Sequence, residues 1–130
     1  MEHYLVDTTV LVEHLRGNKK AAFFLFNYSP SVSHVTIAEL ICGAKQKRDL
    51  RAVDEAVGDL SIFPVTSPIS TSAISLMKQF YHAHHLLFLD ALIAATALEF
   101  NVTLVTENMK HFSCIKGLKL IDWKTIEKLK

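Results

Sequence analysis

Glycine is scarce in this 130-residue chain, with four in all, and proline is scarcer still, with three. No Gly-x-x-x-x-Gly-Lys phosphate loop occurs, which argues against a nucleotide hydrolase of that kind. The two cysteines, Cys42 and Cys114, lie far apart and form no Cys-x-x-Cys pair, so the usual zinc and redox motifs are missing. Cys42 falls in an apolar helical stretch and is expected to be a buried free thiol. No apolar run reaches the ~18–20 residues needed to cross a bilayer. A basic segment, apolar stretch and small-residue cleavage site are absent from the N-terminus, so a secretion signal is not expected. A reducing cytoplasm is the expected compartment, with no membrane partner. Charge of one sign is lacking too: 14 basic residues meet 13 acidic ones, for a net charge of +1. The whole chain therefore exerts no pull on nucleic acid, and the placement of charge carries the information.

What is present is apolar. Half the residues are hydrophobic, enough for one continuous core, and the length suits one domain over residues 1–130. Residues 3–6 read as a short buried strand and 8–16 as a helix stopped at Gly17. Residues 19–28 form a second, strongly apolar helix, with Phe23, Phe24 and Phe26 read as core, or some of them as packing at a dimer or antitoxin surface. Ser31 to Val35 reads as a strand, Thr36 to Lys47 as a helix, and a more polar helix follows around 49–58. Residues 62–65 make a strand near an edge, because Pro64 cannot donate a ladder hydrogen bond. A helix opens at Ser67-Pro68 and runs to about His82. Residues 91–100 form a helix apolar almost all round, hence central. Strands at 102–105 and 118–121 and a short basic tail helix complete the chain. Strands alternating with helices predict a parallel sheet flanked by helices on both faces, a three-layer α/β/α sandwich.

Three acids stand at entrances to helices in this pattern. Asp7 ends the first apolar run, Glu39 follows Thr36 at the head of an apolar helix, and Asp90 opens Asp-Ala-Leu-Ile-Ala-Ala-Thr-Ala-Leu. In an open parallel sheet such junctions gather at the carboxyl edge, where ligands bind. Each acid also has a purely local reading. Asp7 and Asp90 are good helix N-caps, and Thr36-Ile37-Ala38-Glu39 fits a capping box. Together they repel one another unless a cation sits between them. That points to a hard-metal site and phosphodiester chemistry, since divalent ions reverse the sign of an acidic cleft and activate water. Thr106 and Asn108, in the polar segment after the fourth strand, are candidates to position a water or a phosphate. Asp122-Trp123 has the same strand-to-helix context as Asp7 and is assigned no chemistry.

Four segments carry a resemblance. Leu5-Val6-Asp7-Thr8-Thr9-Val10-Leu11, Thr36-Ile37-Ala38-Glu39-Leu40, Asp90 through Ala97, and Leu104-Val105-Thr106-Glu107-Asn108 closely resemble the PIN-domain family, and its VapC-type toxin ribonucleases in particular. The likeness spans essentially the whole chain, in order and at matching spacings. It implies that Asp7, Glu39 and Asp90 form an acidic site that binds Mg²⁺ or Mn²⁺ and cleaves single-stranded RNA. It also implies a five-stranded parallel sheet, a homodimer, and neutralisation by a small VapB-type antitoxin. There is one departure. The family often carries a fourth acid in this last segment or just before the following Phe, and here Asn108 and His111 stand in those places. That puts a second metal ion in question, and it leaves a PIN-like RNA- or protein-binding module with weakened catalysis as the alternative function.

Other features have weaker claims. His82-Ala83-His84-His85 reads as a polar loop between helices, with metal binding or contact to RNA phosphate near the cleft as the alternatives. Lys45, Lys47, Arg48 and Arg51 form a basic face, either solvated or open to RNA backbone. Leu11, Leu15 and Phe24 are candidates for a groove that holds the antitoxin peptide.

Overall fold

A computed structural model describes residues 3–129. Five short strands, β1 (Tyr4–Val6), β2 (Val32–Ser33), β3 (Ile62–Phe63), β4 (Thr103–Thr106) and β5 (Leu120–Asp122), all pair in parallel. They do not make one continuous five-stranded sheet, as the resemblance implies. β1, β4 and β5 form a three-stranded sheet in the order β1-β4-β5, and β2 and β3 form a separate pair. A single bridge between Leu5 and Ser31 joins the two, with Val6 N–H to Ser31 O at 2.9 Å and Ser31 N–H to Tyr4 O at 2.8 Å. Side by side the strands thus run β3-β2-β1-β4-β5. The gap has a local cause. The expected strand from Ser31 to Val35 is cut short because Ser33 caps a helix that begins at His34, so too few residues stay extended to pair along β1.

Seven α-helices connect the strands among the described residues: α1 (Thr8–Leu15), α2 (Lys19–Tyr28), α3 (His34–Gly43), α4 (Lys47–Val57), α5 (Ser67–His84), α6 (Phe88–Glu99) and α7 (Met109–Phe112). The capping chemistry explains most boundaries. The Asn18 side chain accepts from Lys20 N–H and Ala21 N–H to start α2, and Gly17, at φ 92°, makes the turn before it. Gln46 and Asp49 form a capping box at α4. Thr66 caps α5, with Pro68 in its first turn. His82 and His84 belong to α5 and His85 is its left-handed cap, so the expected polar loop is largely helix. α7 was not expected. A 3-10 helix over Trp123–Leu129 replaces the expected tail helix, and Lys130 lies outside the described residues.

Alternation along the strands separates two cores. Leu5 and Leu104 face one way and pack with α5, α6 and α7. Val6 and Val105 face the other way and pack with α1, α2, α4 and Trp123. Helices therefore cover both faces, as expected. Residues 91–97 of α6 are all buried, which bears out its central placement. Phe24 is buried, but Phe26 is 85% exposed and is not core. Cys42 is a free thiol, as expected, but an exposed one, next to the exposed Ile41 on the outer side of α3.

Candidate active site

The strand order reverses between β1 and β4, and the crevice beyond the carboxyl ends of such a pair is where open α/β sheets place ligands. Asp7 sits there. Its N–H bonds Val105 O at 2.9 Å, which extends the β1–β4 pairing by one residue and fixes the backbone. The residue is 4% exposed. Oδ1 accepts from Thr8 N–H at 2.8 Å, and Oδ2 accepts from Thr9 Oγ1 at 3.1 Å and Thr106 Oγ1 at 2.7 Å. Thr106 ends β4, so the last bond spans the crevice. Both hydroxyls are oriented in turn, since Thr106 Oγ1 accepts from Asn108 N–H at 2.9 Å and Thr9 Oγ1 from Glu107 N–H at 3.2 Å. Burial still outweighs these donors and pushes the Asp7 carboxyl above its ordinary range, with the charge of Asp90 adding to the shift.

Glu39 arrives from α3. With Ser33 as the cap, it lies well inside the helix, and the capping box with Thr36 does not form. Its Oε1 instead accepts from Thr8 Oγ1 at 2.8 Å, with Thr36 Oγ1 at 3.1 Å from the same hydroxyl. Thr8 thus ties Glu39 to the residue that caps α1. Burial raises the Glu39 carboxyl, and the charges of Asp7 and Asp90 raise it further.

Asp90 is the third residue of α6, not its cap. Leu87 occupies the cap position and offers no side-chain bond. Asp90 Oδ2 lies 3.3 Å from His111 Nδ1. Burial raises its carboxyl as well, opposed by the charge and hydrogen bond of His111.

All three acids line one cavity of about 290 Å³, together with Asn108 and His111. Residues 7, 39 and 90 therefore come together as expected. Asn108 reaches the cavity, but its side-chain amide meets His111 Nδ1 at 2.9 Å rather than an acid. Asp122 accepts from Lys124 N–H at 3.0 Å, a local cap only. The sequence reading assigned no role to Thr8, Thr9 or His111. The pair of threonines directly after Asp7 was the available signal for the first two. His111 stood out only as the residue in a place where the family often carries a fourth acid, and its approach to Asp90 could not be read there because it depends on the packing of α7.

The comparisons with known proteins fit this geometry. The family profile described as "PIN domain" matches residues 4–116. The chain belongs to the PIN-domain family. Ribonuclease VapC10 of Mycobacterium tuberculosis (strain ATCC 25618 / H37Rv) is 34% identical over 120 residues, spanning 88% of this PIN domain chain and 90% of that protein. A solved toxin-antitoxin complex from Klebsiella pneumoniae superposes with a TM-score of 0.77 at 25% identity, covering 92% of this chain and 97% of that one. The DNA-bound VapBC of Salmonella typhimurium reaches a TM-score of 0.81 at 24% identity, over 95% and 99% of the two chains, a likeness of fold.

Does the PIN domain cavity suit a metal ion? Among the described residues no group of three His, Cys, Asp or Glu side chains is arranged to hold an ion by itself. The donor set is nevertheless that of a hard cation. Mg²⁺ keeps several waters and needs only one or two carboxylates, so an open acidic cavity fits it better than a closed cage does. The acids also raise one another's proton affinity, and a cation relieves that strain. His82, His84 and His85 form no such ligand group.

Proposed function

We propose that this PIN domain is the toxin of a toxin-antitoxin pair and an endoribonuclease that cleaves single-stranded RNA with Mg²⁺ or Mn²⁺ held by Asp7, Glu39 and Asp90. One observation carries the reading: three acids remote in sequence line one cavity at the crevice where the strand order reverses, each with its proton affinity raised. The 34% identity to a protein named a ribonuclease supports the activity. The likeness to a toxin-antitoxin complex supports the partner. A bound divalent ion would supply charge for the phosphate and a water of lowered pKa. The protein's part is rigidity. Thr9 and Thr106 both donate to Asp7 Oδ2, Thr8 holds Glu39, and Asn108 stands at the rim to orient phosphate or water. The expected compartment is the cytoplasm. Among the described residues no helix is long and apolar enough to span a membrane.

The partner is a small VapB-type antitoxin. Leu11 and Phe24 are fully buried, so they cannot form its groove. A cleft of about 460 Å³ between α1, α3 and α4, with Val12, Leu15, Leu40 and Val53 in its walls, is the better seat. Glu39 and Arg16 line both this cleft and the acidic cavity, so a peptide in the first can place an Arg or Lys in the second. Arg suits two carboxylate oxygens best. A homodimer is proposed from the family resemblance.

The test is cleavage of single-stranded RNA by purified protein. Activity should require Mg²⁺ or Mn²⁺, vanish with EDTA, and be lost in Asp7→Asn. Equal cleavage by wild type and Asp7→Asn would mark a contaminating nuclease and overturn the assignment. Divalent-dependent turnover would exclude the weakened binding module.

A further inference from the structure

His111 stands on α7, a single turn whose neighbouring residue, Phe112, is 1% exposed in the core. That anchor sets where the imidazole lies. Its Nδ1 has two neighbours, Asp90 Oδ2 at 3.3 Å and the Asn108 side-chain amide at 2.9 Å. A ring nitrogen carries either a hydrogen or a lone pair, not both. An ionised Asp90 only accepts, so Nδ1 facing it must carry the hydrogen. Asn108 then turns its amide oxygen to the ring, an exchange of two nearly equivalent atom positions. The Asn108 backbone is itself pinned, through its N–H, to the Thr106 hydroxyl that donates to Asp7. A continuous chain of contacts, Asp7–Thr106–Asn108–His111–Asp90, thus links two acids of the cavity.

We infer that His111 is a positioning residue, which donates its Nδ1 hydrogen to Asp90 Oδ2 and holds that carboxylate in the orientation that receives a divalent cation. The inference rests on the metal-site reading above and adds to it a residue that supplies no ligand atom. The other two acids already have such holders, Thr9 and Thr106 for Asp7 and Thr8 for Glu39. Asp90 has His111. The same contact counters the effect of burial on Asp90. Partners of this outer kind are commonly worth about 10–100-fold in metal affinity.

The experiment is calorimetric titration of EDTA-treated, exchanged protein with Mn²⁺, alongside melting temperatures. Wild type, His111→Ala, His111→Asn and Asp90→Asn are compared. Asn keeps a side-chain N–H near the place of Nδ1. His111→Ala should weaken Mn²⁺ binding by about 10–100-fold, His111→Asn should recover most of it, and Asp90→Asn should lose it. Wild-type affinity in His111→Ala would overturn the inference while leaving the metal site intact. If His111→Asn binds as weakly as His111→Ala, the ring is a ligand rather than a holder, and the inference also fails. Absence of Mn²⁺ binding by folded wild type would instead overturn the metal-site reading itself, and this inference with it.

Discussion

At the scale of the residue, Asp7 carries an electrostatic conflict. It is buried, ionisable and close to two other acids, and three donors only partly offset that. Its raised proton affinity means that the folded state binds more protons than the unfolded chain, whose Asp titrates near about 3.9. Stability is therefore lost as pH rises from about 4 through the raised value. Asp7→Asn removes that loss. Without divalent ions, the melting temperature of Asp7→Asn minus that of wild type should grow as pH goes from 4 to 8. Rearranged hydrogen bonds add a constant offset but not that slope. A difference that is flat, or larger in acid, would contradict the assigned shift. Thr106 provides a second test. It is fully buried and its hydroxyl both donates to Asp7 and accepts from Asn108 N–H. Thr106→Val keeps the shape and leaves both partners short of a bond, so chemical denaturation should show a loss of about 1–3 kcal/mol.

At the scale of the element, α6 and α3 show how far local pattern carries. The apolar circumference of α6 marked it as central, and residues 91–97 are indeed buried. Four alanines there, Ala91, Ala94, Ala95 and Ala97, keep its axis close to α5 and the sheet. Ala94 is 0% exposed, so Ala94→Leu should overpack the core and cost about 1–3 kcal/mol in denaturant unfolding, with no effect if the helix were less closely packed. α3 misled at its start. Ser33 and Thr36 are both good caps, and the sequence does not rank them. Ser33 acts because its hydroxyl reaches Val35 N–H at 3.0 Å. That three-residue shift shortened β2 and carried Glu39 inside the helix, away from a cap and toward Thr8. The outward turn of Cys42 was likewise missed, because α3 is apolar on more than the side it buries.

At the scale of the whole molecule, near-neutral charge conceals a partial separation: Asp7, Glu39 and Asp90 converge in the cavity, where Arg16 also lies in the lining, while other cations stand apart from it. Lys47, Arg48 and Arg51 lie exposed on α4. That helix packs against α1 and α3, which carry Thr8 and Glu39. If this face meets RNA backbone, binding of single-stranded RNA by Asp7→Asn should weaken as salt rises. Replacing all three by Gln should flatten the log–log slope by about 0.7 for each phosphate that is no longer neutralised. An unchanged slope would make the face merely solvated. The proposed antitoxin is tested at the same scale. Titration of the nuclease with its co-expressed partner should suppress cleavage in proportion to complex formed. A stable complex that cleaves at the full free rate would rule out occupation of the site.

Sequence by itself determined the alternation of strands and helices, the two-faced parallel sheet, the identity of the three acids and the family to which they belong. These are properties of local periodicity, of residue type and of order along the chain. Only the tertiary structure decided how the acids are held. The bonds from Thr8 to Glu39 and from Thr106 to Asp7 join residues 31 and 99 positions apart, and no local pattern encodes such a distance. It likewise placed His111 against Asp90 and left β1 and β2 joined by one bridge. Hydrogen bonds of this kind form where packed elements happen to meet, and the packing is set by the whole core at once.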